Sequence, residues 1–206
     1  MDNLPATGVP EIAFVGRSNA GKSTAINTLC QQRQLAFASK TPGRTQHINF
    51  FAVGPRQQPS GLLVDLPGYG YAAVAKADKQ RWQRFLAQYL AERAPLVGLI
   101  LLADSRLGLT DIDLSLLDFM APAGVPLHVL LTKADKLNRQ QGQQAAQRAR
   151  DQLAQHAQQV GMTAPISLQL FSATRLIGVE AASQWIESAL SCSPADPAAG
   201  GQTPAE

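Results

Sequence analysis

Cysteine is nearly absent: Cys30 and Cys192 are the two in 206 residues. Two thiols make no disulfide framework, and such sparse usage fits a reducing compartment. Long apolar runs are missing too. The longest, Leu96 to Ala103, is far too short to cross a bilayer, so no membrane is expected among the partners. The first residues show no basic region followed by an apolar core, so no secretory signal is expected. Charge is modest, at 16% of residues and a net +3, which gives the chain as a whole little pull toward nucleic acid; DNA is not expected as a partner. The three histidines, His47, His128 and His156, have no metal-ligand spacing, and no Ser/His/Asp arrangement stands out. These absences leave a cytoplasmic, monomeric protein as the expectation. With 45% hydrophobic residues the chain has enough apolar material for one α/β domain with a sizeable core.

The domain is expected over 11–190, after a short Pro- and Gly-bearing lead-in at 1–10. The stretch 191–206 is Ser, Pro, Ala and Gly with almost no large apolar residue, and reads as a disordered tail. Between these ends strands and helices alternate. Strands are expected at Ile12–Val15, Ile48–Val53, Leu62–Leu66, Val97–Ala103, Leu127–Leu131 and Ile166–Phe171. Helices are expected at Lys22–Gln32, Ala77–Ala94, Ile112–Met120, Gln140–Val160 and Val179–Leu190. The second and third strands flank a Pro/Gly turn, Gly54 to Ser60, and pair as an antiparallel hairpin. The fold class is therefore α/β: a three-layer, six-stranded, mostly parallel sheet with one antiparallel edge strand and helices on both faces. In such sheets ligands bind beyond the carboxyl ends of the strands.

The first strand breaks into Gly16-Arg17-Ser18-Asn19-Ala20-Gly21-Lys22-Ser23 before a helix, the phosphate-binding loop in its required context. Its glycines let backbone N–H groups curl around phosphate, aided by the helix's positive end. Lys22 would reach the β- and γ-phosphates, and the Ser23 hydroxyl would help hold Mg²⁺. A second strand end delivers Asp65-Leu66-Pro67-Gly68, whose carboxylate serves Mg²⁺ through water and whose glycine N–H approaches the γ-phosphate.

A third strand end carries Thr132-Lys133-Ala134-Asp135. A carboxylate here accepts two hydrogen bonds from the N1–H and N2–H₂ of guanine, donors that adenine lacks on that edge. The Lys133 stem can pack on the base. After the last strand, Phe171-Ser172-Ala173 could offer N–H groups to guanine O6, with Ser172 bracing Asp135. The loop containing Thr41 and Gly43-Arg44-Thr45-Gln46-His47 supplies a hydroxyl that completes Mg²⁺ coordination when the γ-phosphate is present. Thr45 is the better candidate and Thr41 the fallback.

Taken together, GRSNAGKS, KTPGRTQHINFF, DLPGYGYA and TKAD closely resemble the EngB-type (YsxC/YihA) ribosome biogenesis GTPases, of the TRAFAC class, over roughly Pro10 to Leu190. The resemblance implies a cytoplasmic P-loop GTPase that takes GTP and GDP with Mg²⁺ and acts in large ribosomal subunit assembly. Its partner would be that subunit or its precursor, with a link to normal cell division and septation. It also implies that Gly16–Ser23, Gly43–His47, Asp65–Gly68, Thr132–Asp135 and Phe171–Ala173 form the nucleotide site, with Ser23 and Thr45 as Mg²⁺ ligands. The lead-in is shorter than is usual in the family, and Ala-Thr follows Ser172 where a second serine is more common.

Where Ras-type enzymes place a water-orienting glutamine, this chain has Tyr69, so slow intrinsic hydrolysis is expected. Related GTPases with Asn at the position of Asn19 bind K⁺ beside the phosphates. That resemblance makes Lys22, Thr45 and Asn19 the catalytic candidates, and K⁺ a candidate cofactor. Asn19 as a simple loop stabiliser is the competing reading. After the Gly70 hinge, Lys76, Lys79, Gln80, Arg81 and Arg84 give a helix a basic character that suits RNA phosphate or, equally, a solvated face. A GTP/GDP-responsive scaffold with negligible turnover is the alternative to the GTPase switch.

Overall fold

The computed structural model describes residues 8–32, 35–36, 48–55, 57–69 and 76–191, and of 76–79 and 81 the backbone alone. Among the described residues six strands form one sheet: β1 (Glu11–Gly16), β2 (Asn49–Val53), β3 (Gly61–Asp65), β4 (Leu96–Asp104), β5 (Leu127–Thr132) and β6 (Ile166–Leu170). Their order is β2-β3-β1-β4-β5-β6, and every pairing is parallel except that of β2 with β3. The expected sheet with one antiparallel edge is what the chain builds. β1 lies at its centre and is buried throughout, which is why its sequence reads as an unbroken apolar run. The edge strand β2 is half exposed and alternates only in part.

Helices cover both faces. On one side α2 (Lys76–Glu92), α3 (Asp111–Ala123) and α4 (Arg139–Val160) pack Leu86, Tyr89, Leu116, Met120 and Leu153 against the sheet. On the other, α1 (Lys22–Leu29) and α5 (Val179–Ser191) contribute Ile26, Ile186 and Leu190. At the sheet end away from the phosphate loop, Arg93 holds the fully buried Glu11 with two hydrogen bonds of 2.8 and 2.6 Å. Its guanidinium also lies over Phe50.

Two helix ends and one buried stripe differ most from the sequence reading. α1 stops at Leu29, because Gln31 turns left-handed and the Asn27 amide bonds both the N–H and C=O of Ala36, drawing the chain back. α3 runs past Pro122 to Ala123. Its start is fixed by a Thr110–Asp113 capping box and its end by the left-handed Gly124. From sequence, α4 carries a thin apolar stripe of Ala149, Leu153, Ala157 and Val160; the buried stripe is instead Gly142, Ala145, Ala146, Ala149 and Leu153, shifted one to two turns toward the N-terminus. Ala157 and Val160 are only half-buried. Small side chains let α4 approach closely: a Cβ on Gly142 would lie 3.1 Å from the Leu170 side chain.

Candidate nucleotide-binding site

The phosphate loop is shaped by two glycines for different reasons. A Cβ on Gly16 would lie 2.7 Å from the Leu102 carbonyl oxygen, backbone that cannot give way, so β1 and β4 demand glycine there. Its backbone is not left-handed, contrary to a simple nest in which both glycines supply the curl. Gly21 does, at φ 91°, as the N-cap of α1, and the exposed Asn19 adds a second left-handed residue at φ 67°. The loop closes on itself where Ala20 N–H donates to Arg17 C=O at 2.9 Å.

The end of β3 is stitched to this loop. Ser18 N–H donates to Tyr69 C=O at 2.8 Å, and Tyr69 N–H to Gly16 C=O at 3.3 Å. Asp65, nearly fully buried, forms an ion pair with the ammonium of Lys22. The two charged residues expected to serve phosphate and Mg²⁺ thus neutralise each other in this conformation. Tyr69 points away from the loop. Its ring packs on Trp82 with centroids 4.4 Å apart, and its hydroxyl donates to Asp113 in the α3 capping box. Burial, then the Asp113 charge, pushes that hydroxyl's pKa well above its ordinary value. Trp82 in turn donates its indole N–H to Pro67 C=O at 2.9 Å, fixing the Asp65–Gly68 turn to α2.

The TKAD residues, expected to face a base, are also bonded to the phosphate loop and to the loop after β6. Thr132 Oγ1 lies 2.6 Å from Ala20 C=O and 3.1 Å from Ala103 C=O; its single proton serves the nearer, in the phosphate loop. Lys133, left-handed at φ 58°, donates its ammonium to Asn19 C=O at 2.8 Å. Ala134 N–H donates to Phe171 C=O at 3.1 Å, joining the loops after β5 and β6. Ser172 Oγ donates to Asp135 Oδ1 at 2.6 Å, the bracing expected from the sequence. That bond is the main reason the Asp135 carboxyl sits below the usual carboxylate range. Ser172 itself is held in a tight hairpin with Ile177, and Arg175 N–H donates to its hydroxyl at 3.2 Å.

The structure therefore brings Gly16–Ser23, Asp65–Gly68, Thr132–Asp135 and Phe171–Ala173 to one end of the sheet. Gly43, Arg44, Thr45, Gln46 and His47, with Thr41, lie outside the described residues, as do Gly70, Cys192 and the tail. Gln80 and Arg84 are exposed on α2, while the side chains of Lys76, Lys79 and Arg81 lie outside the described set. His128 is buried against Trp185, and His156 pairs with Asp118 at 2.7 Å; neither joins the site. Sequence reasoning missed Asp104, Arg106 and Asp113. Asp104 was findable, since it ends a strand whose carboxyl end faces the same way as those of β1, β3, β5 and β6.

Mg²⁺ fits the residues present. Among the described residues no group of three or more His, Cys, Asp or Glu side chains could hold a metal alone. The hard oxygens of Ser23 and Asp65 suit a cation that takes its other ligands from nucleotide phosphates and water. Among the described residues no helix is long and apolar enough to cross a membrane.

Comparison with known proteins agrees with this geometry. Residues 11–133 match the family model described as a 50S ribosome-binding GTPase. The chain is 55% identical over 196 residues to "Probable GTP-binding protein EngB" of Burkholderia cenocepacia (strain HI2424), covering 95% of this chain and 89% of the relative. The protein of the same name from Paraburkholderia phytofirmans (strain DSM 17436 / LMG 22146 / PsJN) is 53% identical over 188 residues, covering 91% and 86%. Among solved structures, a probable GTP-binding protein engB superposes with a TM-score of 0.66 at 18% identity, over 88% of this chain and 98% of that one. The bacterial selenocysteine-specific elongation factor EF-Sec superposes at 0.59 with 23% identity, over 89% of this chain and 29% of that one. At these identities the two structures speak for the fold. The chain belongs to the EngB family of P-loop GTPases.

Proposed function

We propose that this chain is a GTP-binding switch that hydrolyses GTP slowly and acts in assembly of the large ribosomal subunit. One observation carries the nucleotide reading. Asp135, braced by Ser172, is tied to the phosphate loop through Lys133 and Asn19 C=O, so base reader and phosphate cradle form one connected unit. On this reading 11–190 is the GTPase domain, preceded by a lead-in and followed by a tail, and the protein works as a cytoplasmic monomer.

The site residues are proposed as the four described motifs together with Gly43–His47. Ser23, Thr45 and, through water, Asp65 would hold Mg²⁺, which when bound offsets charge on the β- and γ-phosphates. For phosphate to be gripped, Lys22 must leave Asp65 and turn to the nucleotide, which frees the carboxylate for the metal's water shell. The buried Tyr69 has no amide to orient an attacking water, and this supports slow turnover. Lys22 and Thr45 are proposed as catalytic, with the exposed Asn19 offering its amide to a K⁺ that would add positive charge beside the phosphates. Support for the ribosomal partner comes from the family model's description and from the exposed Gln80 and Arg84 on α2. The link to cell division rests on family resemblance.

The same burial of Tyr69 favours a second reading, a GTP/GDP-responsive scaffold with negligible turnover. Sedimentation of the protein with large ribosomal subunits, loaded with GDP or a non-hydrolysable GTP analogue, separates the two when paired with multiple-turnover assays in KCl and NaCl. The switch reading expects analogue-dependent co-sedimentation and stimulated turnover, several-fold faster in KCl. No co-sedimentation and no stimulation would leave the scaffold; equal rates in both salts would remove K⁺.

A further inference from the structure

Asp104 ends β4 opposite Thr132 of β5, and its carboxylate is almost completely buried. It accepts from Arg106 three times, from Nε at 2.9 Å, Nη2 at 2.7 Å and the backbone N–H at 3.0 Å. Its Oδ2 also lies 2.9 Å from the Lys133 ammonium, the same ammonium that donates to Asn19 C=O. Burial alone would raise the Asp104 pKa, yet the bonds from Arg106 and Lys133 hold it well below the carboxylate range. These groups line a cavity of about 320 Å³ beside the phosphate loop, with Arg17, Asn19 and Thr110 on its other walls.

A long lysine stem loses more rotamer freedom on immobilisation than most side chains. Here the ammonium is held from two sides before any base arrives. We propose that Asp104 is a positioning residue of the guanine site: by pinning the Lys133 ammonium it sets the lysine stem as the base platform and ties the phosphate loop to the base-reading end. The inference rests on the reading of Thr132–Asp135 as the base site. Arg106, half exposed, completes the carboxylate's bonding without touching the phosphate loop carbonyl.

A double-mutant cycle on GDP release tests it, using a fluorescent GDP analogue and Asp104→Asn, Lys133→Met and the double variant. Lys133→Met keeps an unbranched stem and removes the ammonium. Asp104→Asn is expected to speed release about tenfold in the parent and less than about twofold on the Lys133→Met background, the non-additivity of groups acting through one contact. Equal effects of Asp104→Asn on both backgrounds, or no effect in the parent, would overturn the proposal. If Asp104→Asn does not fold, Asp104→Glu carries the same cycle, with a smaller but still Lys133-dependent effect expected. Failure of the parent protein to bind GDP would strike the base-site reading instead.

Discussion

The two halves of the site are built differently. At the base half, polar side chains are already bonded in the arrangement they would keep: Ser172 to the Asp135 side chain, and Thr132 and Lys133 to the backbone C=O of Ala20 and Asn19. None of these bonds must break for Asp135 to meet a guanine edge. At the phosphate half the charged groups spend their bonds on each other, Lys22 on Asp65, and the nucleotide must exchange them. On the proposed reading, recognition is preorganised where the base would go; where the phosphates would go, binding would be a change of partners. That difference suits a switch. On that reading the ligand feature that varies between GTP and GDP would be read by the half that must rearrange.

Two substitutions would break this comparison most sharply. Asp135→Asn is expected to weaken GDP binding by roughly 100-fold or more, because an amide cannot accept both guanine donors. It should gain xanthine nucleotide, whose C2 carbonyl can accept from the new amide. Since Ser172 can still bond an amide oxygen, the nucleotide-free protein should melt near the parent temperature. Unchanged GDP affinity would refute the assignment of Asp135 to the base.

Lys22→Met should behave in the opposite manner. Nucleotide affinity falls roughly 10- to 100-fold with the lost charge-assisted bonds to phosphate. In addition the nucleotide-free protein loses about 3 kcal/mol, because Asp65, with only 4% of its side chain exposed, is left buried without its ion-pair partner. Chemical denaturation without nucleotide reads this directly. A Lys22→Met protein as stable as the parent would mean that the Lys22–Asp65 pair is not what holds the phosphate half in the nucleotide-free state.

The sequence showed the parts that depend on residue identity at strand ends. GRSNAGKS, DLPG and TKAD each follow a run of apolar residues, and all three reach one end of the sheet. Ser172 was legible only by its place in the order, and its bond to Asp135 is as expected. What the sequence hid was partnership. Nothing local to Lys22 or Asp65 says that they pair across the sheet, and nothing local to Tyr69 says that Asp113 waits for it. Asp113 reads as an ordinary capping-box residue, and that role masks the second one. The α4 stripe was misplaced for a related reason. Alanines and a glycine bury a close helix contact with little hydrophobic signal, so the larger Val160 drew the expected stripe toward the C-terminus.

Tyr69→Phe sharpens the comparison at lower amplitude. It removes the hydroxyl bond to Asp113 but leaves the ring against Trp82 and the backbone bonds to Gly16 and Ser18. Asp113 still accepts from Thr110 N–H and Oγ1, both at 2.7 Å, so its carboxylate is not orphaned. A stability loss of about 1–2 kcal/mol is expected by denaturation, with GDP affinity within about twofold. A large loss of affinity would show that the hydroxyl bond holds the phosphate loop, a task assigned here to the backbone pairing.

The smallest effect is in pH, and it separates the base half from the scaffold beneath it. His128 is buried against Trp185 and bonded to Ser167 and Gln169, with burial lowering its pKa from 6.5 despite the Gln169 bond. The neutral ring is the form the fold prefers. Its stabilising contribution is complete above about pH 6.5, where the unfolded chain is also neutral, and shrinks as pH falls toward the lower folded value. One such group can cost at most about 1.4 kcal/mol per pH unit, so between pH 6.5 and 5.5 a modest fall in melting temperature is expected, and His128→Gln should flatten it. Asp135, whose pKa is lowered chiefly by Ser172, stays ionised through this window. The preference for GDP over ADP should therefore stay level while stability declines; taking the ratio cancels the ionisation of the shared diphosphate. A preference that fell along with stability would mean that the base half is not preorganised independently of the sheet that carries it.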